Sequence, residues 1–173
     1  LLEQRIMTDQ IKIIKGEGNF EVKLGERTLD LITRLSNLSE VERETLLNEA
    51  AEILSHCVNP VDTIGDITGL AFGYVQSGKT MSFTTLSTLA IDNGFRVIIY
   101  LTGTKNNLLE QTTKRLRKDL LIASENRRHY KVFQNPVSDD NSTNAISNAF
   151  KLKSKPALLI TILKRENYIN ELS

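Results

Sequence analysis

The chain has 173 residues, is 40% hydrophobic and 25% charged, and carries a formal net charge of +1. These proportions suit a soluble globular domain and exclude collagen-like, low-complexity and charge-expanded disordered chains. No apolar run reaches the length of a membrane span, nothing at the start reads as a signal peptide, and the lone Cys57 provides neither a disulfide framework nor a zinc cluster; the expected setting is the cytoplasm, with no membrane partner and no metal cluster.

In chain order, residues 1–27 carry weak signals, with Ile11, Ile13 and Ile14 suiting a short strand or a helix end before Gly16-Glu17-Gly18. A short helix is expected over Thr28–Leu35. Ser39-Glu40-Val41-Glu42 then forms a capping box opening a second helix, whose apolar face is Leu46, Ala50, Ile53, Leu54 and Cys57. Residues 19–66 hold ten acids against four Lys/Arg, so residues 1–60 read as an acidic, mainly helical N-terminal segment.

From residue 61 the pattern changes to strands alternating with helices, as in a parallel α/β sheet with right-handed crossovers. Leu70-Ala71-Phe72 suits a buried strand. A helix follows Thr80 with the stripe Phe83, Leu86, Leu89 and Ala90, stopped by Asn93-Gly94. Val97–Leu101 is an apolar run fit for a strand covered on both faces. A helix over Asn106–Leu121 turns Leu109, Thr113, Leu116 and Leu120 inward. Tyr130–Phe133 is a weaker strand, 135–144 a loop, Asn144–Leu152 a short helix and Ala157–Ile162 a further strand, with a helical pattern from Arg165.

The pattern is organised around Gly73-Tyr74-Val75-Gln76-Ser77-Gly78-Lys79-Thr80, which fits G-x-x-x-x-G-K-[ST], the phosphate-binding loop. The glycines let successive N–H groups turn inward as an anion nest, and the following helix adds unpaired donors and positive dipole. Gly73, Gln76, Ser77, Gly78, Lys79 and Thr80 are the expected nucleotide site. Lys79 would reach the β- and γ-phosphates of ATP or GTP, and the Thr80 hydroxyl would ligate Mg²⁺. A second candidate follows the strand ending at Leu101: Thr102, Gly103, Thr104, Asn106, Asn107 and Gln111, with Lys114, Arg115, Arg117 and Lys118 behind them. Hydroxyls, a glycine and a helix start suit a phosphodiester, and residues 105–131 carry eight Lys/Arg against three acids.

The residues Val75-Gln76-Ser77-Gly78-Lys79-Thr80, Asp92-Asn93-Gly94-Phe95, Leu101-Thr102-Gly103-Thr104 and Asn106-Asn107-Leu108 through Gln111-Thr112 resemble the Z-one domain family, bacterial proteins described as endonuclease-like and related to superfamily-two helicases. The resemblance covers residues 60–173 and is concentrated in its first 45. It implies a RecA-like ATPase lobe over residues 61–173, part of a motor acting on DNA in restriction or phage defence, with residues 101–111 touching one nucleic-acid strand. It also implies a second RecA-like lobe elsewhere in the same polypeptide.

Two departures accompany it. The helicase spacing Thr-x-x-Leu-x-x-Gln is stretched by one residue between Thr104 and Leu108. The acidic Walker B box is missing, since Ala157–Ile162 leads to Leu163-Lys164-Arg165, and Asp139-Asp140 sits in a polar stretch. No catalytic residue is identified, and no acidic cluster supports nuclease chemistry. The chain begins without methionine and stops inside a helical pattern, so the expectation is an incomplete lobe that binds nucleotide but turns it over negligibly. Two other classes fit the loop: a small kinase or partitioning ATPase, and a non-catalytic nucleotide-binding assembly module.

Overall fold

The computed structural model describes residues 12–14, 18, 20–61, 65–70, 79–122, 126, 128–136 and 139–165. The chain divides into two compact units, residues 1–94 and 95–173. The helix that follows the phosphate-loop motif lies in the first unit.

The first unit opens with a strand, β1 (Lys12–Ile14), paired antiparallel with β2 (Val22–Leu24), Ile13 opposite Lys23. The N-terminal segment is thus not wholly helical. In β2, Val22 and Leu24 are buried and Lys23 exposed, the period-2 alternation of a half-buried strand. Two helices follow, α1 (Glu26–Arg34) and α2 (Glu40–Ser55). The capping box of α2 forms as expected: the Glu42 backbone N–H donates to Ser39 Oγ at 3.3 Å, and the Glu42 carboxylate accepts from the Ser39 N–H at 2.8 Å. The Ser39 hydroxyl, which donates to the Glu42 carboxylate at 2.7 Å, and then the Ser39 N–H hold the Glu42 carboxyl below its ordinary value. The buried face of α2 is broader than the expected stripe. Leu47 and Ala51 join Leu46, Ala50 and Leu54, while Ile53 turns outward at 36% exposure.

The third helix, α3 (Lys79–Asp92), packs against α1 and α2 and touches β2. Its inward face corrects the sequence reading. Phe83 is 47% exposed, and Thr84, Thr85, Ser87 and Thr88 are buried alongside Leu89, Ala90 and Ile91. Local satisfaction explains two of them: Ser87 Oγ donates to the Phe83 carbonyl (2.7 Å) and Thr88 Oγ1 to the Thr85 carbonyl (2.9 Å), so these two side chains enter the packed face with their polar atoms already bonded, whereas Thr85 Oγ1 is buried with no partner among the described residues. Met81 packs on the cluster formed by Ile32, Leu35 and Leu46. Gly94, at φ 104°, ends the helix in the left-handed region that glycine adopts freely.

The second unit is an α/β layer around a three-stranded parallel sheet. Its strands are β3 (Val97–Thr102), β4 (Tyr130–Gln134) and β5 (Ala157–Leu163), in the order β3-β5-β4. Helix α4 (Asn106–Asp119) connects β3 to β4, and α5 (Asp140–Lys151) connects β4 to β5. With five helices and a small parallel sheet among the described residues, the fold class is α/β, as expected.

Every residue of β5 is buried, matching its central place and a run that is apolar but for Thr161. Burying each of its Leu and Ile side chains contributes about 1.5–3 kcal/mol relative to exposure. Its one hydroxyl, Thr161 Oγ1, meets Thr113 Oγ1 of α4 at 2.8 Å. Thr113 is buried with Leu109, Leu116 and Leu120, the inward face expected of α4.

Tyr100 pairs with Thr161, so alternate residues Ile98, Tyr100 and Thr102 share the α4 side of the sheet. Ile99 and Leu101 lie on the opposite side and are 45% and 55% exposed. Thus β3 is an edge strand with one face open, not a strand covered on both faces.

Helix α5 begins four residues earlier than the expected Asn144. The Asp139 carboxylate caps it by accepting from the Ser142 N–H at 2.6 Å. Leu70, expected at the head of a buried strand, is irregular and 90% exposed; Ala71 and Phe72 lie outside the described residues, as does the helical pattern beyond Arg165.

Candidate functional site

The glycine-rich stretch lies outside the described residues: Gly73, Gln76, Ser77 and Gly78 are in it. Of Lys79 and Thr80 the backbone alone is described, as the first two residues of α3. The C-terminal end of α3 is described in full. The Asp92 carboxylate, 3% exposed, accepts from the Thr28 N–H (2.9 Å), the Thr28 hydroxyl (2.8 Å) and Arg27 Nη1 (3.3 Å). Thr28 is the third residue of α1, whose N-cap Gly25 offers no side-chain bond. Asp92 therefore caps α1 from a distant part of the chain and puts a negative charge at that helix's positive end. A Cβ on Gly25 would come within 2.5 Å of Asp92 Cγ, so the glycine permits the approach.

Beside it, Asn93 acts as a strand partner: the Lys23 N–H donates to Asn93 Oδ1 and Asn93 Nδ2 donates to the Lys23 carbonyl, both at 2.8 Å. A shallow cleft of about 340 Å³ bordered by Phe20, Lys23, Asn59 and Asp92 sits at this end of α3. Fourteen residues of helix, about 20 Å, separate it from the motif lysine.

The second candidate group is described throughout. Thr102 closes β3, and Gly103 and Thr104 lead to the N-cap Lys105, which makes no side-chain cap bond; Asn106 and Asn107 form the first turn of α4, whose leading N–H groups lack intrahelical acceptors. Thr102 Oγ1 donates to the Ile162 carbonyl at 3.0 Å, so its hydrogen ties β3 to β5 while its lone pairs remain as acceptors. The Lys164 N–H donates to the Gly103 carbonyl (3.4 Å). The Arg165 fork grips the Thr104 carbonyl through Nε (3.2 Å) and Nη2 (3.1 Å). The carboxyl edge thus gathers Lys105, Lys164 and Arg165, all exposed, around the β3–α4 loop. Sequence reasoning missed Arg165 because 61 residues separate it from Thr104.

The predicted nucleic-acid residues do not form one cluster. Asn107, Gln111, Lys114 and Lys118 stand at i, i+4, i+7 and i+11, one exposed stripe along α4. Twelve residues of helix part Asn106 from Lys118, about 18 Å. Thr102, Gly103, Thr104, Asn106 and Asn107 therefore belong to the carboxyl edge, and Arg117 and Lys118 to the opposite end. Arg115 pairs with Asp119 at 3.7 Å.

Asp139 is occupied as the α5 cap, and its bonds to Ser142 hold its carboxyl below the ordinary aspartate range. It lies five residues beyond Gln134, the end of β4, the strand weakly signalled in the sequence over Tyr130–Phe133. Partial burial pushes the Cys57 thiol up, away from the thiolate form that reacts. Among the described residues no group of three or more His, Cys, Asp or Glu converges to hold a metal ion, and no helix is long and apolar enough to cross a membrane. No protein-family model, curated protein or solved structure matches the chain.

Proposed function

We propose that this chain is the nucleotide-binding part of a P-loop ATPase of the RecA-like, helicase-related kind, a motor element acting on DNA in restriction or phage defence in the cytoplasm. The observation that carries the reading is the coincidence of motif and helix: G-x-x-x-x-G-K-T in the sequence, with a 14-residue helix beginning at Lys79, the point at which the pattern requires one. A parallel sheet whose carboxyl edge carries Thr102–Thr104 and the open start of α4 supports the nucleic-acid half of the reading.

Backbone N–H groups of residues 76–80 would cradle the phosphates of ATP or GTP, Lys79 would supply the cation, and Thr80 would ligate Mg²⁺, which screens the phosphate charge. Hydrolysis also needs a carboxylate on the metal side and a group that orients water. β5 ends in Leu163-Lys164-Arg165, and Asp139 is taken up as a cap, so turnover depends on residues of a longer polypeptide with a second lobe. The test is calorimetry with Mg²⁺–ATP and Mg²⁺–GTP on the parent chain and Lys79→Ala. Binding should weaken at least about tenfold with the fold retained; equal affinity in both proteins would overturn the reading.

A further inference from the structure

The amino edge of the sheet in the second unit, opposite the edge that carries Thr102–Thr104, is a second collection point for cations. Three strand starts lie level there. Tyr130 pairs with Ala157 and Val97 with Leu158, while the Ala157 N–H donates to the His129 carbonyl (2.9 Å) and the Leu158 N–H to the Arg96 carbonyl (2.8 Å).

Both helices end at the same place. From α4, the Asn126 side chain donates to the Leu120 carbonyl (3.0 Å), and the N–H groups of His129 and Tyr130 donate to the Asn126 carbonyl. From α5, the Phe150 ring lies 5.1 Å beneath the Arg96 guanidinium, and Arg96 Nη2 donates to the Phe150 carbonyl at 3.4 Å. The topology therefore brings Arg117 and Lys118 (end of α4), Arg128 (start of β4), and Lys151, Lys153 and Lys155 (end of α5 and start of β5) to one edge, all exposed.

Cations at helix C-termini have an ordinary structural use, because each helix end carries about −0.5 of an elementary charge. Two helix ends need about one positive charge, and this edge has six besides Arg96, which is taken up over Phe150. The acid at this end among the described residues, Asp119, is only 14% exposed and faces Arg115, which is outside the six. Arg127 and Glu125 lie outside the described residues and cancel in formal charge. An excess of about five positive charges remains on an edge held in place by backbone bonds.

The shape of the positive region selects the partner. The Asn107, Gln111, Lys114 and Lys118 stripe runs down the exposed side of α4 and joins the carboxyl edge to this one, over about 17 Å of helix. A flat bilayer can lie along that stripe but cannot turn with it onto the amino edge. A flexible or rod-like polyanion can follow its length. The Phe150 ring at this edge is already covered by Arg96, which leaves the exposed cations as the principal contact surface.

We infer that the amino edge of the second unit binds the phosphodiester backbone of a nucleic acid, extending the contact from the β3–α4 loop along α4 and around to the opposite end of the sheet. The inference rests on the nucleic-acid part of the proposed function and not on its nucleotide part. Duplex DNA presents one charge per 1.7 Å of axis, so the stripe of about 17 Å along α4 spans roughly ten phosphates, both strands counted.

The test is fluorescence anisotropy of a labelled 20-base-pair DNA duplex across a salt series, with the parent chain and the variant Lys151→Gln/Lys153→Gln/Lys155→Gln. Losing three phosphate contacts should make the log–log salt slope shallower by about 2.7 and weaken binding at least tenfold at about 0.1 M salt. If that variant melts early by circular dichroism, Lys118→Gln/Arg128→Gln takes its place, with a shallower slope by about 1.8. Binding within twofold of the parent at an unchanged slope would overturn the inference. So would absence of duplex binding by the parent at 50 mM salt, or capture by phosphatidylserine vesicles with no affinity for duplex. Calorimetry with Mg²⁺–ATP on the same variant should match the parent; loss of nucleotide binding in Lys79→Ala alone, with duplex binding intact, shows that the two readings succeed or fail separately.

Discussion

Replacing Asp92 by Ala removes an acceptor that three donors share, and the cost follows from what is left behind. Thr28 is fully buried, so its N–H and hydroxyl would both lose their partner inside the first unit. A hydrogen bond to a charged group contributes about 1.5–3 kcal/mol, and a lost helix cap alone costs about 0.5–2. The Arg27 contact adds little, since it is long at 3.3 Å and that side chain is 32% exposed. The cap and the N–H bond are the same interaction, so the terms overlap, and Asp92→Ala should cost about 3–4 kcal/mol. Asp92→Asn keeps the shape and one carbonyl oxygen and should cost about 1 kcal/mol. In urea, with an m-value of about 1–2 kcal/mol/M, the Ala variant should unfold about 2 M earlier at unchanged slope. The local signature is loss of hydrogen-exchange protection at the Thr28 amide. A double-mutant cycle with Thr28→Val should give a coupling above about 0.5 kcal/mol. An Asp92→Ala cost below about 1 kcal/mol, or strictly additive effects with Thr28→Val, would refute the capping argument.

The buried hydroxyl pair should respond asymmetrically. Thr113 Oγ1 also reaches the Leu109 carbonyl at 2.8 Å, so Thr161→Val should cost less than about 1 kcal/mol, whereas Thr113→Val leaves Thr161 in an apolar strand and should cost about 1–3. The double Val variant should be no worse than Thr113→Val, and urea titration of the three proteins decides it. Asp139 provides a pH dependence. Its folded-state value is lowered by the bonds to Ser142, so the cap of α5 is present above the ordinary aspartate range and is lost as pH falls through the lowered value. Carboxyl chemical shifts should place its midpoint below that of an unstructured aspartate, with the Ser142 amide following the same curve; a midpoint at or above the ordinary value would contradict the capping role.

Features fixed within one turn of chain could be read directly. The Ser39–Glu42 box needs four consecutive residues, and the inward face of α4 needs only a helical period, and both formed as expected. The β3-β5-β4 order could not be read, because it is decided by pairings between residues about thirty to sixty positions apart. Nor could the open side of β3, since an apolar run announces burial without saying which neighbours arrive. The inward face of α3 was misread for a different reason. Counting apolar residues treats Ser and Thr as outward-facing, yet a hydroxyl bonded to the preceding turn enters a packed face at little cost. In the candidate sites, the Thr102–Asn107 group was legible as a motif, whereas Arg165 and the gathering of cations at the amino edge depend on topology.

The Asp92-Asn93-Gly94 sequence shows how such a motif does its physical work at a distance. Asp92 caps α1, Asn93 continues the ladder of β2 through its side-chain amide, and Gly94 turns the chain out of the helix. Asp92 and Asn93 thereby bind the C-terminus of α3 to residues 23–28. The hydroxyl-lined face of the same helix lies against α1 and α2. Cutting the chain at residue 60 would expose Thr84, Thr85, Thr88 and Leu89 and leave the Asp92 carboxylate without its donors. The acidic segment is therefore no detachable preface to the helix that starts at Lys79. It supplies that helix's packing surface, and any shift of α3 along its axis must either carry residues 23–28 with it or break the bonds at Asp92 and Asn93.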